Sequence, residues 1–123
     1  MRKTIIAFAT AAITALTVTP ASAAYGNEAV TNYAGSSRLL WAQNNGTWFL
    51  IEPGKSSLNY GRSDMDGWKL NADQCARYRL PGTFSWFPAV GGPMTVTMGE
   101  DSVVIHVESK KIDPYTLNWI CVF

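Results

Sequence analysis

The sequence predicts a small all-β domain, an antiparallel β-sandwich or barrel of six to eight short strands, and three observations lead to this fold class. Apolar and polar residues alternate with a period of two in several short segments, whereas helical periodicity is nowhere sustained over three turns. Glycine, proline and asparagine separate these segments at short intervals, as turns between strands require. Two cysteines, Cys75 and Cys121, offer one crosslink to a domain this small.

Residues 1–23 are typical of a secretory signal peptide. A basic start at Arg2 precedes an apolar run over residues 5–18, and small residues end the segment. We expect cleavage after Ala23, which leaves residues 24–123 as a single secreted β-domain. The apolar run is shorter than the roughly 20 residues that span a bilayer, so no membrane anchor is predicted.

The net charge of the secreted part limits the classes of partner that it can bind. Without the two basic residues of the signal peptide, eight Lys and Arg residues face nine Asp and Glu residues. Nucleic-acid backbones and anionic membrane surfaces require clustered basic side chains, which a near-neutral domain does not supply. We therefore predict no nucleic-acid partner and, after signal cleavage, no membrane partner.

The cysteine pair predicts one intramolecular disulfide. Cys75 and Cys121 both lie in the secreted part, and an oxidising compartment favours their pairing. The closed loop is worth about 4 kcal/mol in the chain-entropy model. Thiol ligation of a metal is the alternative, but the sequence has a single histidine and no nearby cluster of ligands. No metal and no cofactor are therefore predicted.

The first half of the domain contains the clearest hairpin. Residues 24–37 are small and polar, which is typical of a flexible lead-in or a short first strand. Residues 38–42 and 47–51 flank Asn44-Asn45-Gly46, and the Asn-Gly pair favours the positive φ angles of a type I′ turn. A loop follows, and a short strand is predicted over residues 68–70.

The second half predicts further strands. In residues 74–80, Ala76, Tyr78 and Leu80 alternate with more polar positions, as in a half-buried strand. Residues 94–98 and 103–107 are predicted to form a second hairpin around a Gly-Glu-Asp turn. From Tyr115 to Phe123 every second residue is apolar, so we expect a central or well-covered C-terminal strand that the disulfide ties to the strand carrying Cys75.

No catalytic constellation is present in the sequence, and the protein is predicted not to be an enzyme. His106 is the single histidine, and its position in an alternating segment predicts a half-exposed strand residue without a nucleophile motif. The close carboxylate pairs, Asp64 with Asp66 and Glu100 with Asp101, occupy turns where Asp is expected for backbone reasons.

Aromatic residues are the one compositional excess that points to a site. Phe84, Trp86 and Phe87 lie in one stretch between a Pro-Gly pair and a Gly-Gly-Pro run. Such brackets suit either an edge strand with core aromatics or a protruding loop with an exposed binding patch. Arg77 and Arg79 share one face of the preceding strand, so these five residues form the candidate binding surface. A merely solvated strand face remains the alternative for the two arginines.

One recurrent pattern resembles a known group of proteins. Residues 41–48, 53–57 and 64–75 carry turn glycines and aromatics at spacings similar to those of small secreted β-domains of actinobacteria, which are βγ-crystallin-like or metalloproteinase-inhibitor-like. The resemblance covers residues 41–80 and implies the fold more than an activity. Glu52 and Pro53 stand where the βγ-crystallin calcium signature has paired Asn or Asp residues, so calcium binding is not implied.

These observations predict a small secreted, non-catalytic binding protein whose partner is an extracellular protein or a cell-wall glycan. An inhibitor of an extracellular enzyme is the first hypothesis, since a rigid crosslinked scaffold would present an aromatic segment. A carbohydrate- or cell-wall-binding module is the second, with tryptophans stacked on sugar rings. A self-assembling surface or structural protein is the third.

Overall fold

A computed structural model describes residues 28–123 of the chain, and in this part the protein is all-β. The predicted signal peptide lies outside the described residues. Within these residues the backbone forms ten strands and one short 3₁₀ helix, Ser57–Tyr60. The strands are β1 (Val30–Asn32), β2 (Leu40–Asn44), β3 (Thr47–Ile51), β4 (Gly67–Leu70), β5 (Gln74–Arg79), β6 (Val90–Gly91), β7 (Met94–Thr97), β8 (Val103–Ser109), β9 (Lys111–Ile112) and β10 (Trp119–Ile120).

Two four-stranded sheets face each other, so the predicted all-β fold is confirmed, and of the two predicted forms, sandwich or barrel, it is a sandwich. The ten strands within residues 28–123 exceed the six to eight expected, because several are only two or three residues long. The first sheet has the order β1-β8-β5-β6, and the second has the order β3-β2-β4-β7. All neighbouring strands in them are antiparallel except β1 and β8, which run parallel with Val30 opposite Val103. The short strands β9 and β10 pair in a separate two-stranded sheet. Within residues 28–123, no helix has the length and apolar character needed to cross a membrane.

The core lies between the inner faces of the two sheets. Trp68 is its largest fully buried side chain, and its ring lies 6.2 Å from the ring of Tyr78 on the opposite sheet. Inward positions alternate with outward ones along each strand, as the pleat requires. The buried apolar cluster contains Val30, Leu40, Ala42, Ile51, Met65, Trp68, Leu70, Ala76, Tyr78, Val96, Met98, Val103, Ile105 and Val107.

The first predicted hairpin and its type I′ turn are confirmed. Strands β2 and β3 pair with Asn44 opposite Thr47, which leaves a two-residue loop. Asn45 and Gly46 adopt φ angles of 52° and 78°, as a type I′ turn demands at both positions. The turn fixes the register of the hairpin, and the register decides which side chains point away from the core.

Strand β1 is joined to both sheets by the buried Asn32. The Asn32 side-chain amide donates hydrogen bonds to the carbonyls of Arg38, at 2.9 Å, and Ile51, at 2.8 Å. Its backbone N–H donates to the carbonyl of Lys55, while β1 itself pairs with β8 of the first sheet. These bonds satisfy buried polar groups and link the edges of the two sheets.

The second predicted hairpin is wrong. Strand β7 pairs with β4 in the second sheet, whereas β8 pairs with β5 and β1 in the first. Residues 98–102 therefore cross from one sheet to the other, and Met98 is buried on the way. Its N–H donates to the carbonyl of Asp66, which holds the crossing against the loop before β4.

The predicted disulfide is confirmed, but the predicted C-terminal strand is wrong. Cys75 in β5 and Cys121 are bonded with their Cα atoms 5.7 Å apart. Residues 113–118 form a loop between β9 and β10, in which Leu117 adopts a φ of 61° and interrupts the extended chain. Tyr115 is 94% exposed and Trp119 62% exposed, so the alternation of apolar residues does not correspond to burial here.

Candidate functional site

The outward face of the first sheet gathers charged and aromatic side chains along β5 and β8. Arg77 lies opposite His106 in the register, and Arg79 lies opposite Val104. Because inward and outward positions alternate, both arginines and the histidine point away from the core while Ala76, Tyr78 and Ile105 fill it. The strand alternation predicted for residues 74–80 is thus confirmed for the two arginines.

Trp86 lies over both arginines. The guanidinium carbons of Arg77 and Arg79 each lie 4.4 Å from the centre of the Trp86 ring. The same ring makes an edge-to-face contact with Tyr33, with ring centres 5.2 Å apart and planes at 78°. A cation held against an aromatic face is stabilised by about 0.5–1 kcal/mol at an exposed site. Trp86 therefore belongs to this face and not to the core.

His106 lies beneath these rings and is buried, so the predicted half-exposed histidine is wrong. Its exposed fraction is 8%, and its ring centre lies 5.1 Å from Tyr33, 5.8 Å from Trp86 and 4.9 Å from Phe123. The sequence showed the strand but gave no indication of the three aromatic side chains that cover it. We call the set Tyr33, Arg77, Arg79, Trp86, His106 and Phe123 the arginine face.

Both nitrogens of the His106 ring are occupied. Arg77 Nε donates to Nδ1 at 3.1 Å, so this nitrogen carries no proton, and Nε2 donates to Glu108 Oε2 at 2.7 Å. The other carboxylate oxygen of Glu108 accepts a hydrogen bond of 2.5 Å from the Ser37 hydroxyl. The Ser37 hydroxyl thus donates to the Glu108 carboxylate and not to the His106 ring. In a catalytic serine–histidine pair, the serine hydroxyl is hydrogen-bonded to the histidine itself.

Two opposing effects act on Glu108. Burial raises the pKa of its carboxyl group, but the hydrogen bonds from Ser37 and His106 lower it more, and the net pKa is lowered. The carboxylate is therefore the form that holds the network together. Through His106 it orients Arg77 and leaves the terminal nitrogens of that guanidinium for other partners.

The arginine face retains unused hydrogen-bond donors. Among the described residues, the Arg79 guanidinium makes no hydrogen bond or ion pair, and Arg77 uses only Nε. A guanidinium stacked on an aromatic ring still presents its in-plane N–H groups to a carboxylate. These in-plane N–H groups are therefore donors that no internal contact of the described residues uses.

Exposed apolar side chains occur in the two segments that contribute Trp86 and Phe123 to this face. Phe84, in the loop between β5 and β6, is 90% exposed, whereas Phe87 stacks on Tyr78 at 4.9 Å and donates its N–H to the Tyr78 carbonyl. Phe87 thereby fixes the loop, and Phe84 projects from it. The C-terminal segment carries further exposed apolar residues, namely Ile112, Tyr115, Leu117, Trp119, Ile120, Val122 and Phe123.

The structure therefore brings together three of the five predicted surface residues. Arg77, Arg79 and Trp86 are in contact. Phe84 is exposed in the same loop as Trp86, whereas Phe87 packs on the inward-facing Tyr78. Tyr33, His106 and Phe123 complete the face and were missed, because they come from segments far apart in the sequence. The Cys75–Cys121 bond, which the sequence predicted, was the available signal that the C-terminal segment lies near β5.

A second surface, on the outward side of the other sheet, was also missed. Lys69 Nζ lies 4.3 Å from the ring centre of Trp48 and 5.4 Å from that of Trp41. The predicted hairpin already contained the signal, because its two-residue turn places positions 41 and 48 on the same face. We call Trp41, Gln43, Trp48, Leu50, Lys69, Thr95 and Thr97 the tryptophan face.

In residues 28–123, no group of three or more His, Cys, Asp and Glu side chains is placed to hold a metal ion. Asp66, one of the turn carboxylates considered from the sequence, accepts a hydrogen bond of 2.8 Å from the N–H of Asn45 in the hairpin turn. For Asp101, burial and then the neighbouring Glu100 raise the pKa of the carboxyl group.

Comparison of the chain with protein-family models, curated proteins and solved structures finds no match. The resemblance to βγ-crystallin-like domains therefore stays a prediction. The fold and the site therefore describe the protein only by class. It is a disulfide-linked β-sandwich with an outer face rich in arginine and aromatic residues.

Proposed function

We propose that this protein is a small secreted, non-catalytic binding protein whose arginine face captures an extracellular protein that displays carboxylates. The observation that carries the proposal is the position of Trp86 over Arg77 and Arg79, in a loop that also exposes Phe84. Interfaces are enriched in tryptophan, tyrosine and arginine, and the contacts around such residues exclude water. An arginine face of this composition suits an acidic protein surface with an apolar border.

The geometry supports binding over catalysis. His106 is covered by aromatic rings, and both of its nitrogens are engaged in hydrogen bonds. A general base must lie within hydrogen-bond reach of the proton that it removes, and here Arg77 and Glu108 occupy the two nitrogens instead of a nucleophile. The imidazole in this arrangement supports Arg77 from below, which is a positioning role. The disulfide further suits a secreted scaffold, because such bonds persist in oxidising compartments.

Inhibition of an extracellular enzyme is the form of capture that we favour. The loop between β5 and β6 projects Phe84, and its base is fixed by the Phe87–Tyr78 stack. A rigid projecting loop loses little entropy on binding, which is the advantage of a preorganised inhibitor. Capture would block catalysis where the carboxylates that the face binds border the enzyme's active site.

The test is capture from culture supernatant by the disulfide-intact protein, followed by measurement of affinity for the captured partner. Phe84→Ser should weaken the affinity about tenfold or more, because an interface anchor is lost. Leu58→Ser is the matched control, since Leu58 is also an exposed apolar residue, at 57%, but lies in the 3₁₀ helix. Added salt should weaken capture, because the contacts are charged. Equal affinities of both variants would contradict the proposal.

Self-assembly is a second candidate, which the exposed apolar residues of the C-terminal segment favour. Tyr115, Leu117 and Trp119 are all more exposed than a typical apolar residue of a monomeric domain. Sedimentation across a range of concentrations would show a dimer or larger species that Trp119→Ser abolishes. A monomer at high concentration would contradict this candidate and leave the capture proposal standing.

A further inference from the structure

The tryptophan face has a composition unlike that of the arginine face. Its strands are adjacent in the order β3-β2-β4-β7, and their outward positions form one surface. Lys69 is the single charged side chain at these outward positions, and no carboxylate is among them. The outward residues are Trp48 and Leu50 on β3, Trp41 and Gln43 on β2, Gly67 and Lys69 on β4, and Thr95 and Thr97 on β7.

Lys69 is positioned by the two indole rings. Trp41 lies directly opposite Lys69 in the β2–β4 register, and Trp48 lies diagonally beyond Trp41 on β3. The ammonium contacts both rings, at 5.4 and 4.3 Å from their centres. Among the residues that the structure describes, it has neither a hydrogen bond nor an ion pair. The rings thus hold the charge in place without neutralising it.

We propose that the tryptophan face binds an acidic glycan, with sugar rings against Trp41 and Trp48 and a sugar carboxylate on Lys69. The face of an indole is electron-rich, and the C–H groups on one side of a pyranose ring pack against it. The carboxylate forms a charge-assisted hydrogen bond with the ammonium, which is stronger than a bond between neutral groups.

The remaining outward groups suit sugar hydroxyls. Gln43 offers an amide with two donors and one acceptor, and Thr95 and Thr97 offer hydroxyl groups on the neighbouring strand. None of these three side chains has a hydrogen-bond partner within residues 28–123. Unpaired polar groups beside aromatic rings are the combination that fixes the orientation of a polar, ring-shaped ligand.

This site is independent of the arginine face. The two faces lie on the outer sides of opposite sheets, and the hydrophobic core separates them. Glycan binding can therefore fail while protein capture persists, and the reverse also holds.

The experiment is calorimetric titration of the disulfide-intact protein with oligogalacturonate, a linear oligomer of uronic acids. The reference ligand is the same oligomer with its carboxyl groups reduced to neutral alcohols. Oligogalacturonate should bind about tenfold more tightly than the reduced oligomer, because only it can engage Lys69. Lys69→Met should remove this preference. Lys111→Met should preserve it, since Lys111 is an exposed lysine on β9, which belongs to the separate two-stranded sheet.

A second variant tests the aromatic part. Trp48→Ala should abolish binding of both oligomers, and circular dichroism would show that the variant is folded. Trp48→Leu serves if the alanine variant unfolds, because it keeps the apolar bulk but removes the flat ring. Phe84→Ser should bind the glycan normally.

Four results would overturn the proposal. The first is that neither oligomer binds, and the second is that both bind equally well. The third is that oligogalacturonate binding is unchanged by Lys69→Met or by Trp48→Leu. The fourth is that polyglutamate binds as tightly as oligogalacturonate. The last result would show recognition of charge alone.

Discussion

Each of the two outer faces lies on a four-stranded sheet, but the residues that form them differ in how far apart they lie in the sequence. The arginine face is assembled from residues as distant as Tyr33 and Phe123, which both pack on His106. The tryptophan face comes from a hairpin and its neighbouring strands, with Trp41 and Trp48 only a turn apart. One face thus depends on long-range tethers and the other on local register. Their stabilities and ligands should therefore respond to different substitutions.

The largest effect should follow from loss of the disulfide. Cys75→Ala with Cys121→Ala should lower the free energy of unfolding by about 4 kcal/mol, because the unfolded chain regains the entropy of an open loop. It should also release Phe123 from His106 and Arg77, whose contacts it now makes at 4.9 and 5.2 Å. Urea denaturation measures the first effect, and affinity for the captured protein measures the second.

Glycan binding should survive in this double variant wherever it is folded. Phe123→Ala is the control that removes the ring and leaves the disulfide intact, so it should weaken protein capture with a smaller loss of stability. If a folded double variant lost oligogalacturonate binding as well, the two faces would be coupled.

Trp86→Ala should have the next largest effect. The variant loses two cation–π contacts and the edge contact with Tyr33, which together are worth about 2 kcal/mol. Thermal unfolding should detect this loss in a protein that still folds, and capture of the protein partner should disappear. Trp48→Ala is the matched substitution on the opposite side, where only glycan binding should disappear. Complete unfolding of Trp86→Ala would show that this ring belongs to the core.

Glu108→Gln should have a smaller effect that depends on pH. Hydrogen bonds lower the pKa of the folded carboxyl group, so its contribution to stability is present above the unfolded pKa and is lost as pH falls through the folded one. At pH 7 the variant should lose about 1 kcal/mol. The difference from the unsubstituted protein should shrink below about pH 4.3.

Urea denaturation at several pH values measures the difference in the free energy of unfolding between each variant and the unsubstituted protein. Glu52 is exposed, so the control substitution Glu52→Gln should show no such difference. A loss in Glu108→Gln that is equal at pH 7 and at pH 3 would mean that its charge plays no part.

Lys69→Met should change stability least. An exposed cation–π contact contributes about 0.5 kcal/mol, and the methionine side chain keeps the apolar contact with the rings. Thermal unfolding should therefore be almost unchanged, although oligogalacturonate binding falls. A large loss of stability would indicate that the ammonium is part of the structural framework and not of a binding site.

Much of the fold could be predicted because its signals are local. Asn45-Gly46 specifies its own turn type, and the alternation around Ala76 and Tyr78 specifies a half-buried strand. The pairing partners of strands are not local. The segments on either side of Gly99 alternate correctly, but they belong to different sheets. The alternation from Tyr115 to Phe123 failed for a related reason, because periodicity indicates a possible strand but not a surface to cover it.

The same difference between local and long-range signals applies to the residues of the candidate site. Arg77 and Arg79 lie on one strand and Trp86 follows closely in the next loop, so sequence proximity was enough to group them. Tyr33 and Phe123 reach the same place only through the β1–β8 pairing and the disulfide, respectively. Trp41 and Trp48 were predictable in principle, since the turn that the sequence specified places them on one side of the hairpin.

The parallel pairing of β1 with β8 sets an order on folding. Ala29 donates a hydrogen bond to the hydroxyl of Ser102 across 73 positions of sequence. The first sheet therefore cannot close until almost the whole domain is available, whereas the β2–β3 hairpin needs only its own residues. Long-range pairings are slow because the entropy of loop closure must be overcome before their contacts form. During synthesis or transport of an extended chain, the hairpin with its two tryptophans can form early, and the surface around Arg77 can be completed only at the end.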